Sequence, residues 1–135
     1  MTKVEISDIV IDATDPEGLA NFWSQLLGLG VRGTEGPYVV LERRRDEEVG
    51  LSFQRVAGVK SGKNRVHFDV SSDDIAATKA LVESLGGRRV PGYEEGGFLV
   101  MADPEGNEFC VVTFAQIEVD DQGRTNYLDD LDLGD

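Results

Sequence analysis

Ile9-Val10-Ile11-Asp12-Ala13 opens a unit that Val66-His67-Phe68-Asp69-Val70 opens again 57 residues later, and this repetition decides the fold. Each opening is followed by an acidic turn, Asp15-Pro16-Glu17 or Ser72-Asp73-Asp74, and then by an apolar stretch ending in Leu27-Gly28 or Leu85-Gly86. Farther along, Tyr38-Val39-Val40-Leu41 is answered by Phe98-Leu99-Val100-Met101, and Leu51-Ser52-Phe53-Gln54 by Phe109-Cys110-Val111-Val112. Two copies are too few for a stacked solenoid, which needs at least three. They suit a pseudo-twofold pair of modules around a cleft.

The periodicities give each copy the same plan. Residues 4–13 and 64–71 are β-branched and alternating, as half-buried strands should be, whereas 17–28 and 74–85 carry apolar residues at helical spacing. Leu19, Phe22, Trp23, Leu26 and Leu27 form the stripe of the first helix, and Ile75, Ala76, Leu81, Val82 and Leu85 that of the second. Gly28 and Gly86 supply the stops. Short strands are expected at 30–33, 37–43 and 49–56, and again at 88–91, 97–102 and 108–115. Asp103-Pro104-Glu105-Gly106-Asn107 is the turn between the last two. The predicted class is α+β, βαβββ twice, in modules 4–57 and 64–115 of a domain spanning 1–115.

Composition narrows the possible functions. A chain of 135 residues with one cysteine, Cys110, needs no disulfide framework and can form no internal bridge. The first residues, Met1-Thr2-Lys3-Val4-Glu5-Ile6, show no signal-peptide pattern, and no run approaches the ~20 apolar residues of a membrane span. A cytoplasmic protein without a membrane partner is expected. The net charge of −13 argues against nucleic acid, which is held by clustered Lys and Arg. Arg43-Arg44-Arg45 is followed directly by Asp46-Glu47-Glu48 and reads as a solvated hairpin loop. Residues 116–135 form an acidic tail with seven acidic residues against Arg124 alone. Tyr127, Leu128 and Leu131 are spaced there like one face of a short helix, while the end beyond Asp129 has the composition of a solvated terminus.

The stretch Asp12-Ala13-x-Asp15-Pro16-x-x-Leu19-x-x-Phe22-Trp23-x-x-Leu26-Leu27-Gly28, the strand Val66-His67-Phe68-Asp69-Val70, and Ala102-Asp103-Pro104-Glu105-Gly106-Asn107-Glu108-Phe109 together resemble the glyoxalase/bleomycin-resistance/dioxygenase proteins, the vicinal oxygen chelate superfamily. Within it the chain is most similar to the small glyoxalase-like domain group, over residues 4–115. The resemblance implies paired βαβββ modules whose mixed and antiparallel sheets curl into a cup around a small-molecule site, and commonly a homodimer. It leaves the chemistry open, because the superfamily hosts lyases, ring-cleaving dioxygenases, epimerases, thiol transferases and plain drug-binding proteins.

Catalytic members of that superfamily hold a divalent cation with His, Gln or Glu from the first and last strand of each module. Carried onto this chain, those positions fall on Asp8, Arg65, Ser52 and Cys110. A guanidinium donates no lone pair and a hydroxyl is a poor ligand, so no tightly bound catalytic metal and no other cofactor are expected. Cys110 stands where the family has Glu. A weaker set of Asp8, His67 and Cys110 is the alternative. Glyoxalase I or ring-cleaving activity is accordingly not expected.

Alternation from these positions puts Asp8 and Val10 on the inner face of the first strand, and Arg65, His67 and Asp69 on one face of its counterpart. Tyr38, Val40, Phe98, Val100, Ser52, Gln54, Cys110 and Val112 complete the lining. The predicted ligand-binding residues are therefore Asp8, Tyr38, Ser52, Gln54, Arg65, His67, Phe98, Val100 and Cys110, a mixed polar and aromatic set suited to a small ligand. His67, the only histidine, is the candidate catalytic residue, as general base; a structural imidazole paired with Asp69 is the competing reading. Arg65 is read as an anion clamp or as the ion-pair partner of Asp8. Cys110 reads more simply as a small apolar residue than as a nucleophile.

Two apparent motifs are turn chemistry. Gly28-Leu29-Gly30-Val31-Arg32-Gly33 has the letters of a dinucleotide loop but follows a helix, so no phosphate cradle is expected. The Asp103–Glu108 stretch is half the length of a calcium loop. Binding of a small aromatic or carbonyl-containing molecule is the expected function, with a glyoxalase-like lyase or isomerase acting through His67, and a weakly held divalent metal, as the alternative.

Overall fold

The computed structural model describes residues 2–92, 99–114, 117–119, 122 and 125–127. The chain divides between Lys60 and Ser61 into two compact units. The first contains β1 (Asp8–Ala13), α1 (Pro16–Leu27), β2 (Val31–Glu35), β3 (Tyr38–Leu41) and β4 (Gly50–Arg55). The second repeats the order with β5 (Phe68–Ser72), α2 (Ile75–Ser84), β6 (Arg88–Arg89), β7 (Leu99–Ala102) and β8 (Glu108–Thr113), followed by β9 (Ile117–Val119) and β10 (Thr125–Tyr127). Each unit builds a four-stranded mixed sheet, in order β1-β4-β3-β2 and β5-β8-β7-β6. The β1–β4 and β5–β8 pairs are parallel and the others antiparallel. This is the expected α+β fold of two βαβββ modules.

Local chemistry starts and stops the helices. The Asp15 carboxylate caps α1 by accepting from the Gly18 amide at 3.1 Å, with Pro16 pre-set at the first helical position. Asp74 does the same for α2 through the Ala77 amide at 2.9 Å. Gly28, at φ 69°, ends α1 in the left-handed conformation that other residues adopt at a cost.

The helix α1 packs on β3 and β4, burying Leu19, Phe22 and Trp23 against Val39, Leu41 and Phe53. Phe22 and Trp23 meet edge to face with ring centroids 5.3 Å apart, a geometry that pairs the positive edge of one ring with the negative face of the other. In the second unit α2 packs on β6 and β8, and Ile75, Val82, Leu99, Met101, Phe109 and Val111 are buried. The α2 stripe is narrower than its sequence suggests. Leu81 is 38 % exposed, and only Ile75 and Val82 are buried along the helix.

In the tail, Tyr127 belongs to a strand. Thr125–Tyr127 pairs antiparallel with Ile117–Val119, placing Tyr127 opposite Ile117 in a two-stranded ladder. Leu128 and Leu131, which the helical reading needed, lie outside the described residues. Among the described residues no helix is long and apolar enough to cross a membrane.

Candidate functional site

Strand register sorts the candidate residues onto two open sheet faces, one in each unit. In the first, Val10 lies opposite Ser52 and Ser52 opposite Val40, while Asp12, Gln54 and Tyr38 form the next row. Their neighbours Ile11, Phe53 and Val39 point the other way, toward α1. Alternation therefore puts Asp8, Tyr38, Ser52 and Gln54 on the face away from the helix, as expected. Tyr38 is 37 % and Val10 44 % exposed there, whereas Ser52 is buried.

In the second unit Asp69 lies opposite Cys110, and Cys110 opposite Val100. His67 precedes β5 and brings its Nε2 to 3.4 Å from Asp69 Oδ1. The ligating atoms of His67, Asp69 and Cys110 all lie within 4.8 Å of one another. Arg65 is exposed and precedes β5, and Val100 is buried. Phe98, the remaining expected lining residue, lies outside the described residues.

The register corrects one correspondence between the modules. Because Val10 pairs with Ser52 and Asp69 with Cys110, the openings are offset by 59 residues, the same spacing that separates the helix caps Asp15 and Asp74. The counterpart of Asp8 is therefore His67, where the 57-residue match of apolar letters pointed to Arg65. A parallel strand takes its register from the hydrogen-bond ladder, and neighbouring β-branched letters look alike under a shift of two.

Asp8 has an ionic partner within its own unit. Asp8 Oδ1 takes a 3.0 Å bond from Arg43 Nη2, from the run read as a solvated loop. Hydrogen bonding from Ser7, and then from Arg43, holds the Asp8 carboxyl below its usual range. Arg44 and Arg45 keep to the surface reading, bonded to the Leu27 carbonyl and to Glu48 respectively. Nothing in the sequence announced the Arg43 contact, since 35 residues separate the partners.

The His67, Asp69 and Cys110 group combines an imidazole, a carboxylate within reach of it, and a thiol. Burial, then the charge of Asp69 and a hydrogen bond to it, pushes the Cys110 thiol from 9.0 to about 11. Cys110 is thus protonated at neutral pH and is no activated nucleophile. Iodoacetamide at pH 8 is expected to alkylate it roughly a hundredfold more slowly than an ordinary exposed cysteine, because reaction follows the thiolate fraction. Asp69→Asn removes the secondary causes, so its rate should rise severalfold while staying below that of a free thiol. An unchanged rate in that variant would show that Asp69 does not act on the sulfur.

As metal donors, the three present N, O and S atoms, a set that suits a borderline-soft divalent ion such as zinc. Around a tetrahedral ion the donors stand about 3.3–3.8 Å apart, so the group would have to contract, and the thiol would have to give up a tightly held proton.

The sequence model described as the glyoxalase-like domain matches residues 8–112. No curated protein sequence matches the chain. Among solved structures, a glyoxalase-related enzyme from Fulvimarina pelagi is similar at 14% identity and a TM-score of 0.64, over 91% of this chain and 97% of that one. The trypanothione-dependent glyoxalase I of Leishmania major is similar at 17% identity and a TM-score of 0.65, over 82% and 87%. A glyoxalase/bleomycin resistance protein/dioxygenase family enzyme from Burkholderia phytofirmans PsJN follows at 17% and 0.59, over 80% and 97%. At these identities the likeness is one of fold.

Proposed function

Because the chain belongs to the glyoxalase-like domain family, we propose that it binds a small aromatic or carbonyl-containing molecule and holds no tightly bound catalytic metal. The observation that carries this reading is the open face of the second sheet, where His67 and Asp69 are 45% and 56% exposed beside Cys110. Together these three groups offer a ligand an acceptor, a donor and a charge. On the first unit's open face the exposed ring of Tyr38, with Gln54 opposite it, offers stacking and hydrogen bonding.

A thermal-shift screen of small molecules tests the reading, since a ligand of the folded state adds about 2.7 kcal/mol of stability at a hundred times its Kd. A hit should lose its shift in His67→Gln, in Asp69→Asn or in Tyr38→Ala. The variant that abolishes it identifies the face responsible. A hit indifferent to all three, or the absence of any hit among aromatic and carbonyl compounds, overturns the proposal.

The second reading is a lyase or isomerase in which His67 is the general base. It is favoured by the 3.4 Å His67–Asp69 pair, because a carboxylate beside an imidazole fixes its orientation. A weakly held divalent ion on His67, Asp69 and Cys110 would be an alternative to that role and not an addition to it, because coordination occupies the imidazole lone pair that a base needs. Turnover by the base would follow a single ionisation and collapse in His67→Gln while ligand affinity survives. A homodimer located in the cytoplasm completes the proposal; light scattering that returns only a particle of 14.7 kDa across micromolar concentrations removes the dimer.

A further inference from the structure

The Asp103–Asn107 turn holds more than its own backbone. Asn107 Nδ2 donates to both carboxylate oxygens of Asp103, at 3.1 and 2.9 Å, and this fixes which way the amide faces. The other end of that amide, Asn107 Oδ1, accepts from Asn64 Nδ2 at 2.7 Å. Glu108 Oε2 accepts from the Asn64 backbone amide at 3.2 Å, and the Asn64 carbonyl accepts from Lys63 Nζ at 3.3 Å. Asn64 is therefore tied, through side chain and backbone, to residues 43 and 44 positions away.

Beyond Asn64 the chain bends at Arg65 and Val66, and at Phe68 it enters the parallel ladder opposite Phe109. Arg65, Val66 and His67 thus form a short arch pinned at one end to Glu108 and at the other beside Phe109. The ladder fixes the backbone on the C-terminal side of His67, and Asn64 fixes it on the N-terminal side. The direction of a side chain follows its backbone torsions, so the 3.4 Å approach of His67 Nε2 to Asp69 Oδ1 depends on both pins. Supporting hydrogen bonds of this kind reduce the ordering cost of a contact residue when a ligand arrives. We infer that Asn64 is the positioning residue of His67, setting the imidazole against Asp69 on the open face of the second sheet. Asp69 and Cys110 need no such support, because the β5–β8 ladder places each opposite the other. The inference rests on reading that face as the ligand site. Its test uses no ligand, so an empty screen and a failed test are separate results.

His67 is the only histidine, so the proton–carbon signals of its ring are identified without further labelling. Asp69→Asn should displace them, since it removes a charge 3.4 Å from the ring. In an Asn64→Ala background most of that displacement should be lost. The isosteric Asn64→Asp, which cannot donate to Asn107 Oδ1, should lose it as well. The iodoacetamide rate at Cys110 is the control: Asp69→Asn should raise it severalfold with or without the Asn64 substitutions, because the ladder and not Asn64 joins Asp69 to the thiol. A full displacement of the ring signals in both Asn64 backgrounds overturns the inference. So does a ring that ignores Asp69→Asn in the otherwise unaltered protein, or a loss of the thiol response together with the ring response, which would make Asn64 a support of the whole unit. Hydrogen exchange decides the matter if neither variant folds: the Asn64 amide of the unaltered protein should exchange at least about tenfold more slowly than in an unstructured chain, and an unprotected amide overturns the inference.

Discussion

Truncating Trp23 to alanine is expected to destabilise the first unit by about 3–5 kcal/mol. The indole is 1% exposed, lies on the face of α1 that packs against β3 and β4, and makes the edge-to-face contact with Phe22. Its removal forfeits the transfer free energy of a large ring and leaves a cavity that Val39, Leu41 and Phe53 cannot fill from a sheet held by its own ladder. Urea denaturation followed by circular dichroism measures the loss. Leu81→Ala is the control: at 38% exposure on α2 it should cost less than about 1 kcal/mol, within the range of ordinary surface changes. Equal losses in the two variants would contradict the assigned core.

Asp103→Ala is expected to cost about 2–5 kcal/mol by a different route. The side chain is fully buried, and its Oδ1 accepts from the amides of Glu105 and Asn107, each at 3.0 Å. Asn107 Nδ2 adds bonds to Oδ1 at 3.1 Å and Oδ2 at 2.9 Å. Alanine leaves two backbone donors and an amide without their acceptor in a half-buried turn, so the loss is the cost of orphaned polar groups. The turn joins β7 to β8, the two central strands of the second sheet, so damage there reaches Val100 and Cys110. Asp103→Asn keeps an acceptor oxygen and should lose less. Denaturation together with hydrogen exchange at the Asn107 amide checks both. A fast-exchanging Asn107 amide in the unaltered protein would refute the explanation.

Most of the fold was legible in the sequence, because its deciding signals are local. Helix starts at Asp15 and Asp74, the glycine stop at Gly28 and the Asp103–Asn107 turn depend on groups within about four residues of one another, where spacing along the chain is spacing in space. Period-two and helical patterns then separated Val39, Leu41 and Phe53 from Tyr38, Ser52 and Gln54, and so assigned each strand its two faces. In the tail the structure speaks only for Tyr127 of the helically spaced set Tyr127, Leu128 and Leu131, and places it in a strand, because a ladder to Ile117–Val119 outweighs so short a pattern there.

The repeated βαβββ plan, both helices and the two faces of each strand can be read from the letters alone. Which residues meet on each face cannot. The parallel pairs β1–β4 and β5–β8 join segments separated by a helix and two further strands, and their register set His67 rather than Arg65 in the place of Asp8. The Arg43–Asp8 bond and the His67, Asp69 and Cys110 group likewise depend on strands brought together from distant parts of the chain. Such contacts are set by ladder geometry and by what each long side chain can reach, and neither quantity is written in the spacing of letters.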